Sequence, residues 1–187
     1  MTGLDLSKDA LIEVAVLVTD SQLNVLGNGL DIVIATPQDK LAAMSDVVQE
    51  MHTKSGLVVE VMAATITMEQ AEQQILDYVT QYVPAGKAPL AGNTIGTDRA
   101  FLARDMPNLI AYLHYRNIDV STIKELARRW YAPVFYHAPE KQGNHRALAD
   151  IRESIQELRY YRAAVFVPPP GPAGDDLRAI AAAYPMA

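Results

Sequence analysis

Residues 11–19, Leu-Ile-Glu-Val-Ala-Val-Leu-Val-Thr, are nearly all β-branched or apolar and stop at Asp20-Ser21, which predicts a strand. Val25–Leu26 and Leu30–Ala35 follow after a turn short enough for an antiparallel partner, with Gly27 and Gly29 loosening its middle. A lone hairpin is not stable in water, so this one needs helices or further strands to cover it.

The chain supplies both. Leu41, Met44, Val47, Val48 and Met51 fall at helical spacing within 38–53, and 57–64 gives a shorter helical piece after Ser55-Gly56. Thr67-Met-Glu-Gln70 has the pattern of a capping box opening a helix through Ile75, Leu76 and Val79. Ala88 to Gly92 predicts a short buried strand, and Asp98 a helix through Phe101, Leu102 and Met106. Pro107 suits the first position of another short helix, and 118–120 reads as a strand. Thr122-Ile-Lys-Glu125 has the form of a second capping box, with a helix to about Trp130 and a loop over 131–143. Asn144 is an N-cap candidate for a last helix from about His145 to Ala164. The order predicts an α/β fold with a mixed sheet flanked by helices. Residues 1–167 are expected to form one domain and 168–187 a Pro-rich, disordered tail, in which 175–187 has only a weak helical pattern.

Composition narrows the chemistry. No cysteine is present, which excludes disulfides, a thiolate nucleophile and zinc–thiolate sites. No apolar run suits a membrane span and no signal-peptide pattern opens the chain, so a cytoplasmic protein is expected. The formal charge of −6 argues against a grip on long nucleic acid through many phosphates, and fits short fragments better.

Two stretches carry the chemistry. Asn93-Thr-Ile-Gly-Thr-Asp98 and Asn144-His-Arg-Ala-Leu-Ala-Asp150-Ile each end a loop and open a helix, and each delivers one carboxylate. Hard divalent ions take carboxylate oxygens, and phosphoryl transfer benefits from two ions about 3.5–4 Å apart. An aspartate in a helix's first turn is also favoured by the macrodipole, so either acid could be an ordinary helix-start residue. His145 is the obvious proton-transfer group. Five positions from Asp150 it lies roughly 140° away on an ideal helix, so convergence requires it to sit at a frayed start. On local sequence it could equally be an exposed loop histidine. His114 lies in an aromatic cluster of the kind that usually packs, and His52 sits near a helix end where it could cap carbonyls.

Several strings, taken together, resemble the oligoribonuclease family of DEDD-superfamily exonucleases. They are Gly92-Asn-Thr-Ile-Gly-Thr-Asp98-Arg, His114-Tyr-Arg116, 119–130 (Asp-Val-Ser-Thr-Ile-Lys-Glu-Leu-Ala-Arg-Arg-Trp) and 145–154 (His-Arg-Ala-Leu-Ala-Asp-Ile-Arg-Glu-Ser), with Met1-Thr-Gly-Leu4 and His52-Thr-Lys-Ser-Gly56. The resemblance covers about residues 1–167, and the Pro-rich tail resembles actinobacterial members. It implies a ribonuclease H-like fold and 3′-to-5′ hydrolysis of very short oligoribonucleotides to nucleoside 5′-monophosphates, with two Mg2+ or Mn2+ ions per site. Asp98 and Asp150 would hold metal and His145 would be the general base. Leu4 would wedge between two bases, while His52 and Thr94 would line the substrate site. Tyr115, Arg116 and Ser121 would act at the terminal phosphate and scissile region, Tyr115 and Arg116 coming from the partner protomer of a homodimer.

In this family the string Met-Thr-Gly-Leu directly follows an Asp-x-Glu pair at the end of the first, central strand. Asp5 lies beyond the wedge position and Glu13 within the next strand, so neither is a replacement. Met1 is therefore expected to be an internal methionine of the motif, with Asp-x-Glu encoded upstream. Without the central strand, two sheet halves with exposed edges are expected. Two other functions fit the residues less well: a non-catalytic nucleotide-binding or dimerisation module, and a related DEDD exonuclease for longer RNA or DNA.

Overall fold

The computed structural model describes residues 1–140 and 146–185. The hairpin forms as the pattern requires. Strand β1 (Glu13–Thr19) pairs antiparallel with β2 (Val25–Val33), Glu13 opposite Val33 and Thr19 opposite Val25, with a bulge between Val16 and Val18. Gly29 answers the bulge: it has φ +79°, and a Cβ there would lie 2.4 Å from Leu17 Cδ2 and 2.9 Å from the Val16 carbonyl. A side chain cannot fit. The Asp20 carboxylate closes the turn, accepting from the amides of Gln22 and Asn24, each at 2.8 Å.

The predicted helix over 38–53 is two helices, α1 (Gln38–Ala42) and α2 (Asp46–Lys54). The break lets Met44 turn inward, where it is buried with Leu41 and Ile12, and leaves Ser45 extended at ψ 155°. Helix α3 (Leu57–Ala63) adds Leu57 and Val61 to this small core. Helix α4 (Met68–Val79) opens with the full capping box: Thr67 Oγ1 accepts from the Gln70 amide, and Gln70 Oε1 accepts from the Thr67 amide. Its Ala71, Ile75 and Val79 meet Val18, Ile32 and Ile34 of the hairpin region in the main core. Each large aliphatic side chain buried there stabilises by about 1.5–3 kcal/mol relative to exposure.

The second sheet is a parallel pair, β3 (Pro89–Gly92) and β4 (His114–Asp119), with Gly92 opposite Asp119. The crossover between them is α5 (Ile95–Asp105) and α6 (Pro107–Tyr112), the latter with Pro107 at its start. Strand β4 begins four residues before the expected 118 and takes in His114 and Tyr115 of the aromatic cluster, while Tyr112 ends α6. Among the described residues the two sheets remain separate, the two halves expected from the sequence.

Helix α7 (Val120–Trp130) corrects the second capping box. Asp119 is the N-cap, its Oδ1 accepting from the Ser121 amide at 2.9 Å, so Thr122 already lies inside the helix. Glu125 pairs instead with Arg128 and Arg129. The expected loop after it contains a short helix, α8 (Ala132–Tyr136). Asn144 lies outside the described residues, and α9 (Ala147–Val165) has Arg146, extended, at its N-cap. Helix α9 packs on β1, β2, β3, α7 and α8, and so spans both sheets. In the tail, α10 (Gly174–Ala183) has no buried residue. No helix among the described residues is long and apolar enough to cross a membrane.

Candidate active site

In an open sheet with parallel strands, ligands bind outside the carboxyl ends, where the chain leaves each strand for a helix. Here β3 runs through Asn93 and Thr94 into α5, and β4 runs directly into α7. Asp98 lies in the first turn of α5 and Asp119 caps α7. Burial pushes the Asp98 carboxyl above the usual carboxylate range; hydrogen bonding at the helix start partly counters this, and the Asp119 charge adds to it.

Thr94 joins the two strand ends. It takes the left-handed conformation, φ 51° and ψ 34°, which is uncommon for a β-branched residue. Its amide donates to Asp119 Oδ1 and to Ser121 Oγ, both at 3.0 Å, and the Thr94 and Ser121 hydroxyls lie 3.2 Å apart. Those bonds hold the strained residue in place. Thr94 and Ser121, predicted separately as substrate contacts, are thus brought together.

Asp150 lies exposed in the first turn of α9, its amide donating to the Arg146 carbonyl at 2.9 Å. His145 lies outside the described residues. Its neighbour Arg146 is clamped: Nε donates to Glu13 Oε1 at 2.8 Å, while Nη1 and Nη2 donate to Glu60 Oε1 and Oε2, both at 2.7 Å. The Glu60 hydrogen bonds hold the guanidinium above its ordinary pKa range. Glu13 also accepts from the Ala147 amide at 3.1 Å, so this acid serves the start of α9.

Tyr115 is 72% exposed on β4; its ring stacks on His114, centroids 4.5 Å apart, and the Arg116 guanidinium lies 5.3 Å from the same ring. Leu4 is also outward-facing, 75% exposed, just beyond Thr2, which is buried and bonded to Asp9 and Ala10. His52 is only 4% exposed and donates from Nε2 to the Met1 carbonyl at 2.9 Å, which ties α2 to the segment carrying Leu4.

The residues that organise this end of the molecule were not all evident in advance. Asp119 carried a signal, an aspartate two residues before Ser121 at a strand–helix junction. Asn93, Glu13, Glu60 and Glu157 carried none, because their partners are far away in sequence.

The oxygen donors of Asp98 and Asp150 suit a hard divalent ion in kind. In number they fall short: among the described residues no group of three or more His, Cys, Asp or Glu could hold a metal ion. These side chains do not fit a two-ion site.

The exonuclease family model described as RNase T matches residues 1–158. The chain is similar to an oligoribonuclease of Streptomyces coelicolor, 64% identical over 185 residues, covering 98% of this chain and 92% of that protein. A Cutibacterium acnes oligoribonuclease is 63% identical over 185 residues (98% and 91% covered), and one from Rhodococcus jostii 62% over 181 residues (96% and 91%). With the α/β architecture and the two acids each placed on a helix's first turn, these likenesses lead to one conclusion: the chain belongs to the oligoribonuclease family of exonucleases, with its ribonuclease H-like fold.

Proposed function

We propose that this chain is a 3′-to-5′ exoribonuclease that hydrolyses very short oligoribonucleotides, dinucleotides above all, to nucleoside 5′-monophosphates. The observation that carries this reading is the placement of Asp98 in the first turn of α5, where the chain leaves the carboxyl end of β3, and of Asp150 in the first turn of α9, the helix that Asn93 at that strand end bonds through Ser154. Near full-length likeness to three oligoribonucleases supports it.

In this reading Asp98 and Asp150 would contribute carboxylate oxygens to Mg2+ or Mn2+, and two carboxylates alone would not complete a pair of ions. The other roles belong to the protein's own groups. His145 takes the proton from the water that attacks phosphorus as the bond to the 3′-oxygen breaks. Leu4 separates the two bases, a role its exposure favours. Thr94 and Ser121 border the substrate, while buried His52, expected beside them, acts from behind by holding the segment that carries Leu4. Tyr115 and Arg116 reach the terminal phosphate of a substrate held by the second protomer of a homodimer, and their exposed, mutually stacked arrangement suits that donation. A phosphate capped in this way leaves a longer chain no room. Residues 1–167 form the catalytic domain, 168–187 are an appendage, and the protein works in the cytoplasm.

The test is hydrolysis of a 5′-phosphorylated diribonucleotide beside a 20-nucleotide RNA, with magnesium and with chelator. Magnesium-dependent cleavage favouring the dinucleotide is expected. Binding of the dinucleotide with no turnover would replace this reading by the non-catalytic module, which the shortage of clustered acids among the described residues favours. Preference for the long RNA would point to a different DEDD exonuclease.

A further inference from the structure

Asn93 has its side-chain amide fully engaged. Nδ2 donates to Ser154 Oγ at 2.9 Å and to Glu157 Oε2 at 3.0 Å, and Oδ1 accepts from Ser121 Oγ at 3.0 Å. Ser154 and Glu157 are buried residues of α9, whereas Ser121 belongs to α7. Each partner is itself anchored. Ser154 Oγ donates one turn back to the Asp150 carbonyl at 2.9 Å, Glu157 Oε1 takes Lys124 Nζ at 3.2 Å, and Ser121 Oγ also receives the Thr94 amide.

The network therefore runs from the backbone of Asp150 through Ser154 and Asn93 into the turn that starts α5, the helix of Asp98. The packing gives that route its importance. Helix α5 packs on α6, β3 and β4, whereas α9 packs on β1, β2, β3, α7 and α8. Strand β3, together with the turn that Asn93 opens, is where the two sets meet. Only a side chain with two donors and one acceptor at this length can make all three bonds: aspartate has no donor, alanine has neither, and glutamine is a methylene too long.

We propose that Asn93 is a positioning residue that sets the placement of Asp98 relative to Asp150. It acts through two backbones and touches neither substrate nor reacting atoms. The inference rests on the reading of Asp98 and Asp150 as the working acids. A partly buried amide satisfied on every atom, two of its partners buried, holds a geometry that water, with freedom to reorient, cannot hold as tightly. A misplacement near 1 Å in a catalytic site costs about a hundredfold in rate.

The experiment compares the full chain with Asn93→Ala, Ser154→Ala, the double variant and Asp98→Asn. It combines backbone amide hydrogen exchange with kcat and KM on a diribonucleotide. Asn93→Ala is expected to speed exchange together over 94–98 and 147–151, and to lower kcat on the order of ten- to a hundredfold with KM little changed. Ser154→Ala, which removes one bond of three, is expected to shift both readouts the same way by less, and the double variant to fall no further than Asn93→Ala. Exchange that rises only in the turn, with kcat unchanged, would overturn the proposal. Full activity in Asp98→Asn would remove the reading of the acids themselves. An inert Asp98→Asn beside an unaffected Asn93→Ala would overturn only the link.

Discussion

Arg146→Ala tests how the start of α9 is held. The wild-type guanidinium makes three hydrogen bonds to two acids that come from β1 and α3. They are unequal. The Glu13 side chain is 5% exposed and that of Arg146 26%, while that of Glu60 is 46% exposed. Leaving a buried charge without its partner costs about 3–5 kcal/mol. Glu13 keeps the Ala147 amide and Arg146 is partly wet, which brings the expected loss for Arg146→Ala to about 2–3 kcal/mol. Glu60→Gln removes one charge from the more exposed pair and should cost no more than about 1 kcal/mol. In a chain of this length 1 kcal/mol moves Tm by about 2–4 °C, so the arginine variant should melt about 4–12 °C lower. Arg146→Lys should fall between, since an ammonium cannot span both oxygens of Glu60. Urea denaturation at pH 7 with an unchanged m-value measures all three. A loss under 0.5 kcal/mol for Arg146→Ala, or an equal loss for Glu60→Gln, would refute the assignment of the burden to buried Glu13.

Other outcomes follow from single groups. Asp98 titrates above its usual value in the fold because of burial, so its ionised form opposes folding at neutral pH. As pH falls through the raised native value toward the unfolded value near 3.8, the native state takes the proton first and that penalty is relieved. Asp98→Asn in chelator should therefore raise Tm at pH 7, with the gain fading toward pH 4; a gain that grew on acidification would contradict the sign. The Tyr161 hydroxyl is buried with no hydrogen-bond partner among the described residues, so Tyr161→Phe should be neutral or stabilising by up to about 1 kcal/mol, and a loss above that in urea melts would show an unrecognised partner. Thr67→Ala should cost about 1 kcal/mol through the lost cap of α4, read in the same melts, and a neutral result would show the box to be ornamental.

Local chemistry was the legible part of the sequence. The hairpin, the Thr67–Gln70 box, Pro107 at the start of α6 and the first-turn position of Asp98 each depend on residues within a few positions of one another. The second capping box failed for a local reason as well: Asp119 competes for the same helix start and, three residues earlier, wins. The split at 43–45 was hidden because Met44 fits the helical period whether it points inward from a helix or from a break. The connections that hold the site were illegible on different grounds. Glu13 meets Arg146 across 133 positions and Asn93 meets Ser154 across 61, so neither pair leaves a local pattern. The resemblance to oligoribonucleases singled out Asp98, Asp150, Thr94 and Ser121 without revealing what fixes their relative positions.

Diribonucleotide hydrolysis by the full chain, set beside Asp98→Asn, Asp150→Asn and the double variant, tests the central claim most directly. Two acids that serve one reaction act as a unit, so each single variant should lose nearly all of kcat/KM and the double should lose little more. Losses that multiply, or either single variant cleaving at the parent rate, would contradict the claim that Asp98 and Asp150 share one active site.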